Sequence, residues 1–323
     1  MKYLRILGAI GLTALMLYVA RRNSIGAPEY FEKTDGEYQF AMTTVPKGME
    51  NGDTVITVDV VGPFAEGHRV LLYLVGDPAK AQKKSPPGIP MQIKERGASE
   101  YSIRMPVGKR NEKIWYCFAV VDESGQPISR FARPNGSPFV LRSIGHVPVL
   151  VLTFHILFIF ATFFCVAMAT LSALPLITGG GDIRALSVWY WAAVICAFVG
   201  GYPFGFAMNW FAFGGLWEGV PFGTDATDNK TQLLFVYLIF MALATIGSFS
   251  KGKCGRDIFT PRILGVFGLA GFLLQLGIYF IPHSIQFSAG LTYAVCYGFT
   301  ALIALIYLAG LFSSRGTSRV SPV

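Results

Sequence analysis

Charge is what this chain has least of. Only 14% of its 323 residues are Asp, Glu, Lys or Arg, against 53% hydrophobic, a balance outside that of soluble globular domains and typical of proteins that live in a bilayer. Cysteine is also sparse. Cys117, Cys165, Cys196, Cys254 and Cys296 include no C-x-x-C pair, and three of the five fall inside apolar segments, which excludes a disulfide framework and a zinc knuckle. Cys117, alone in the polar half, reads as a small apolar residue rather than a reactive thiol. No G-x-S-x-G elbow in a strand-turn-helix context, P-loop, H-E-x-x-H or dinucleotide fingerprint occurs, so no common motif-borne chemistry is signalled. The formal charge of +8 is scattered along the polar part and at helix ends, and without a basic face it points to topology and not to nucleic acid.

The little charge present is unevenly placed. Residues 21–145 hold 17 Lys/Arg and 14 Asp/Glu, whereas residues 146–323 hold 8 and 5. Two regions with different solvents are implied. The opening "MKYLRILGAIGLTALMLYVARR" places Lys2 and Arg5 before an apolar run of about fifteen residues, the length of a secretory h-region. With no good cleavage site, residues 1–22 read as an uncleaved signal anchor. Residues 23–145 read as β: "DTVITVDVVG", "HRVLLYLVG", "YSIRMPV", "KIWYCFAVVD" and "PFVLRS" are short runs of Val, Ile, Tyr and Phe separated by Gly, Pro, Asp and Lys, the pattern of an all-β sandwich. "VVDESGQPISRF" looks like a hairpin joining the last two long strands, and "GDPAKAQKKSPPGIP" like an exposed insertion. In strand pattern this domain resembles fibronectin type III and immunoglobulin-like sandwiches, a resemblance that fixes no ligand.

From Val147 onward the chain changes to long apolar segments, roughly 148–175, 186–211, 232–250, 263–281 and 287–312, each near the ~20 residues a helix needs to cross hydrocarbon. The expected architecture is therefore a membrane protein: signal anchor, extracytoplasmic sandwich, then a bundle of five transmembrane helices over 146–315. "KGKCGRDIFTPR" has four basic residues and one acid, and the end "SSRGTSRVSPV", which includes the tail 316–323, adds two more basic residues; by the positive-inside rule both are cytoplasmic. Counting crossings backward puts the sandwich, "PHSIQ" and "GGLWEGVPFGTDATDNK" on the outer, periplasmic side.

The apolar segments carry no interior Asp, Glu, Lys or Arg, and only His155, Asn209 and Gln275 are strongly polar. An ion-coupled transporter usually needs an ionisable relay at membrane depth, so a small-solute transporter ranks last among the readings. His155 and His283 could approach from different helices and ligate haem b or a metal. His146 precedes His155 by nine residues, which turns the two imidazoles to opposite sides of one helix. Trp189, Tyr190 and Trp191 at one end and Trp210 and Trp217 at the other read as interfacial belt residues, Pro203 as a bend, and Gly265, Gly268 and Gly271 as a close-packing stripe.

The loop "GGLWEGVPFGTDATDNKTQLL", Gly214–Leu234, is an acidic island. Thr227 or Asp228 is placed to cap a helix beginning near Asn229. His146, Glu218, Asp225 and Asp228 are possible metal ligands, although carboxylate spacings of seven and three match no dedicated cation loop. Trp217, Glu218 and Asp225 are the expected partner surface. The run Trp217, Gly219, Pro221, Gly223, Asp225, Thr227-Asp228-Asn229-Lys230 is similar to a loop in a group of functionally uncharacterised bacterial polytopic membrane proteins, which implies a bacterial inner-membrane location and no reaction. The leading expectation is a non-enzymatic structural, accessory or assembly subunit in the lipid bilayer with a periplasmic protein partner. The alternative is a membrane electron-transfer subunit.

Overall fold

A computed structural model describes residues 2–22, 28–76, 88–93, 99–251, 257–281 and 287–316. The chain divides into two compact units, residues 26–146 with 211–214, and residues 1–25, 147–210 and 215–323.

The first unit is built of strands β1 (Tyr30–Asp35), β2 (Tyr38–Thr43), β3 (Lys47–Met49), β4 (Asp53–Val61), β5 (Arg69–Val75), β6 (Ile89–Pro90), β7 (Gln92–Ile93), β8 (Glu100–Pro106), β9 (Lys113–Val121), β10 (Pro127–Phe131) and β11 (Phe139–Ile144). They form two sheets, β1-β2-β4-β8-β7 and β3-β11-β9-β5-β6, with β10 also on β9. The period of two decides which residues meet between them. Tyr38, Phe40 and Met42 of β2, Ile56, Val58 and Val60 of β4, and Tyr116, Phe118 and Val120 of β9 all point into one shared core. Phe131 lies 5.2 Å from both Phe40 and Phe139, ring centre to ring centre, and each such buried ring contributes roughly 1.5–3 kcal/mol. On the other face of β9, Ala119 and Val121 pack with Leu71 in a smaller cluster.

The five long runs expected as strands are strands. The hairpin differs in one respect: the Asp122–Gln126 turn joins β9 to the short β10, and β11 then pairs with the first half of β9, Phe139 opposite Tyr116. Phe131 and Phe139 both face the core, so both strands stay on β9. Most of the insertion expected at 76–90 lies outside the described residues. Cys117 on β9 is half-buried, and burial raises its thiol above the ordinary value, in keeping with an unreactive side chain.

The second unit is helical: α1 (Lys2–Arg22), α2 (Val149–Ile177), α3 (Ile183–Gly201), α4 (Pro203–Phe213, in this unit as far as Trp210), α5 (Ala226–Ala244), α6 (Ile246–Lys251), α7 (Pro261–Phe280) and α8 (Ala289–Gly316). Among the described residues four stretches, Val149–Ile177, Ile183–Phe213, Pro261–Phe280 and Ala289–Ser313, are long and apolar enough to cross a membrane. The segment expected at 232–250 is realised as α5 and α6. Its polar first turn and the interruption at Thr245 keep α5 outside that set. Pro203 acts as expected, dividing the apolar segment at 186–211 into α3 and α4 at Tyr202.

Exposed Val149, Leu150, Leu157, Leu302 and Leu305 give the helices an apolar outer surface, as lipid contact requires. Inside, the helices meet through small residues and interhelical hydrogen bonds. A Cβ on Gly265 would come within 2.9 Å of the Ala173 carbonyl oxygen, and one on Gly268 would strike the Ala173 methyl. The Gly268 carbonyl accepts from Tyr190 Oη at 3.3 Å and from Thr170 Oγ1 at 3.4 Å, and Ser187 Oγ donates to Thr245 O at 2.9 Å. Tyr190 is thus fully buried. That corrects its assignment to an interfacial belt: its neighbours on α3 sit nearer the outside, but position 190 faces α7.

Candidate functional site

The loop between α4 and α5 is held by its own polar side chains. Asp225 is the N-cap of α5: its Oδ1 accepts from the main-chain N–H of Thr227 at 2.8 Å and of Asp228 at 3.1 Å. The helix starts at Ala226, three residues before the expected start, and neither Thr227 nor Asp228 is the cap. The reason is local. Asp225 N–H donates to Glu218 O at 2.9 Å, which closes the loop and leaves Asp225 in a non-helical conformation, φ −59° and ψ 125°, at the helix entrance, where a carboxylate satisfies two orphan N–H groups.

Asp228 is thereby free for a different task. It is only 8% exposed; its Oδ2 accepts from Glu218 N at 2.6 Å, and its two oxygens lie 3.2 and 3.3 Å from Asn209 Nδ2. One carboxylate thus ties α4, the loop and α5 together. It precedes the apolar run of α5, and burial holds its carboxyl up at about 6, with the Asp225 and Glu218 charges adding to the rise. The hydrogen bonds from Glu218 and Asn209 oppose the rise and are outweighed. Next to it, Asn229 Oδ1 accepts from Val220 N at 2.7 Å. Lys230 reaches away, donating to Ile281 O at 2.9 Å, where a cation suits the exposed carbonyls at the end of α7.

Trp217 is pinned inside the loop: its indole N–H donates to Val220 O at 3.2 Å, and its ring stacks on Tyr202 at 5.7 Å and meets the edge of Phe206 at 5.7 Å. Tyr202, just before α4, and Phe206 and Trp210 on it recur every fourth residue and so line up on one side. Across from them stand Leu216, Trp217, Val220 and Phe222, with Gln232 of α5, around an open apolar cleft of about 640 Å³. Phe222 is 84% exposed, Leu216 54% and Trp210 51%.

The tight turn behind this rim depends on glycine. Phe222 N–H and Gly223 N–H both donate to Gly219 O, and a Cβ on Gly223 would collide with the Glu218 carbonyl oxygen, a main-chain atom that cannot step aside. Gly223→Ala is therefore expected to lower the melting temperature of the purified protein by several degrees. An unchanged melting curve would mean that the turn relaxes freely.

Of the residues expected at a metal site, Asp225, Asp228 and Glu218 do lie in one loop. Asp228 spends both oxygens, and Asp225 its Oδ1, on main-chain N–H groups and Asn209, and among the described residues no group of three His, Cys, Asp or Glu side chains is placed to hold a metal ion. His146 belongs to the sandwich unit. His155 Nδ1 is 2.9 Å from Gly200 O, a contact that orients the imidazole between α2 and α3. His283 lies outside the described residues, so the pairing of the two histidines on haem or metal has no geometry here. The residues that composition did not single out are Phe222 and Leu216, whose exposure depends on the turn that Gly219 and Gly223 permit.

The chain matches no family model and no curated protein sequence.

Proposed function

We propose that this protein is a non-enzymatic accessory or assembly subunit of a bacterial inner-membrane complex. In this reading residues 1–22 are the signal anchor, the fibronectin-like sandwich is periplasmic and meets a protein partner, α5 from Gln232 onward together with α6 makes a fifth crossing, and the C-terminus is cytoplasmic. The observation that supports it is how the loop spends its polar groups. Asp225, Asp228 and Asn229 bond main-chain N–H groups and Asn209, so they build a fixed shape in place of a set converging on a reacting atom. A braced loop with exposed apolar side chains is suited to recognition. Trp217 contributes by holding that shape, and Glu218 and Asp225 remain on the proposed partner surface.

Two measurements test this together. Photo-crosslinking residues placed at exposed sandwich positions Val61 and Ile128 should trap a single partner protein in intact cells, and a cysteine introduced for Asp225 should react with a membrane-impermeant maleimide from the periplasm. Recovery of the chain linked only to itself would remove the accessory reading, and protection of position 225 in spheroplasts would overturn the orientation.

A further inference from the structure

The sandwich gathers basic residues that are scattered in sequence. β11 runs between β3 and β9, with Arg142 opposite Lys47 on one side and opposite Lys113 on the other, so three cations from three strands form one row. Residues opposed in this way point to the same face. That face is the outer one, because Phe139 and Leu141 of β11 and Tyr116 and Phe118 of β9 fill the core and Gly48 of β3 faces Val107 and Leu141. Lys47 and Lys113 are exposed. Beside the row on this face stand Met49, Val140, Ile144 and Trp115, none of them acidic, and Met49 is 48% exposed.

Like charges directly opposite one another on adjacent strands are destabilising, so the row calls for an anion from outside the fold. Among the described residues ion pairs engage Lys33, Arg104 and Arg110, and neither Lys47 nor Lys113 has one. Partial burial, and then the Arg142 charge, lower the Lys47 ammonium below its ordinary value. The place of the row says which anion. The Arg142 guanidinium carbon lies 3.9 Å from the centre of the Phe213 ring, and Gly145 N–H donates to Ala212 O at 2.9 Å; both partners belong to the sandwich unit and are the last two residues of the apolar stretch Ile183–Phe213. β11 itself leads into α2, which starts at Val149, seven residues after Arg142. The row therefore stands at the end of the sandwich to which two membrane stretches are joined, where a chain passes from hydrocarbon into the headgroup layer.

We infer that Lys47, Arg142 and Lys113 form a binding surface for the headgroups of anionic phospholipids, with Met49 and Ile144 entering the interface beside them. Basic side chains next to an anionic leaflet gain from its surface potential within about a Debye length, and the phosphodiester oxygens accept from the two ammonium groups. Apolar neighbours add burial, the combination by which peripheral segments hold to a bilayer. The inference needs only the membrane crossing and is independent of whether the sandwich has a protein partner.

The test is photo-crosslinking of the full chain in nanodiscs of equal parts phosphatidylglycerol and phosphatidylcholine with identical acyl chains. Benzoylphenylalanine replaces Met49, and the adducts are identified by mass spectrometry. Phosphatidylglycerol adducts should exceed phosphatidylcholine adducts at least fivefold, roughly the contribution of one basic side chain near an anionic surface, and the excess should shrink in about 1 M salt. Lys47→Gln combined with Lys113→Gln, at exposed positions that leave the fold intact, should bring the ratio close to one, whereas Lys47→Arg combined with Lys113→Arg should keep the excess. Benzoylphenylalanine at Ile128, at the far end of β9, should give fewer lipid adducts than at position 49. No lipid adduct at position 49, a ratio near one in the parent, or an excess unchanged by the double Gln variant would overturn the proposal. Crosslinking of position 49 to a protein in native membranes would assign the row to an acidic partner instead, and loss of the excess to added glycerol phosphate would assign it to a soluble anion.

Discussion

Asp228→Ala should open the loop between α4 and α5 while leaving the sandwich folded. The substitution removes the acceptor for Glu218 N–H at 2.6 Å and the partner of Asn209 Nδ2, and each donor left unpaired at a buried site costs about 1–3 kcal/mol. The readout is local: hydrogen exchange of the peptide spanning 216–223 should accelerate by at least tenfold, since tenfold corresponds to about 1.4 kcal/mol, while peptides from β4 and β9 keep their protection. Asp228→Asn, which retains one carbonyl oxygen for Glu218 N–H, should lie between the alanine variant and the parent at neutral pH.

The pH dependence carries a definite sign. The folded-state value of Asp228 is raised to about 6 from 3.8, so the closed loop holds a proton more tightly than the open one. Closure is favoured most below the open-state value, and that advantage is lost as pH rises through about 6. The groups facing the carboxylate are Glu218 from the loop, Asp225 from the cap, and Asn209 and Tyr202 from the α4 side. The charges of the two acidic ones disfavour an ionised Asp228 and so act in the same direction. Corrected for intrinsic exchange, protection of 216–223 should therefore be greater near pH 4 than near pH 7, and Asp228→Asn should flatten the difference. Protection that falls with acid would show that the loop is built around the ionised form.

The sandwich strands were legible because alternation alone separates Ile56, Val58 and Val60 from Thr57, Asp59 and Val61, and a half-buried sheet has no other way to sort them. The apolar segments were legible because composition decides membrane helices nearly unaided. What sequence could not resolve was competition among similar groups at short range. Asp225, Thr227 and Asp228 are all good caps, and the choice falls to Asp225 because its N–H is already fixed on Glu218 O. The same contact frees Asp228 to become the buried tie to Asn209, a pairing across nineteen positions that no local pattern announces. Trp217 was singled out for its chemistry, yet its ring is spent on Tyr202 and Phe206, and the neighbouring Phe222 is the one left exposed. For Tyr190, proximity to two tryptophans suggested a belt, whereas helical phase turned it inward onto Gly268.

The glycine stripe of α7 gives the second large expected effect. A methyl on Gly268 would meet the Ala173 methyl of α2 head-on, and a close-packed interior resists even one added carbon. Gly268 also presents the carbonyl that Tyr190 and Thr170 share, so moving α7 outward would loosen three helices at once. Gly268→Ala should cost about 1–3 kcal/mol, the usual range for overpacking, and Gly268→Leu should yield no folded bundle in detergent. Because the obstruction is a single methyl, the reciprocal change supplies the decisive test. Ala173→Gly alone should be mildly destabilising, by about 0.5–1 kcal/mol, for the glycine it places in a helix. Combined with Gly268→Ala it should recover much of the loss, with a coupling energy of about 0.5–3 kcal/mol as expected for residues in direct contact. Thermal unfolding of the four proteins of that cycle measures it. Simple additivity would mean that α2 and α7 do not meet at these two positions, and the packing of the bundle around Gly268 would have to be redrawn.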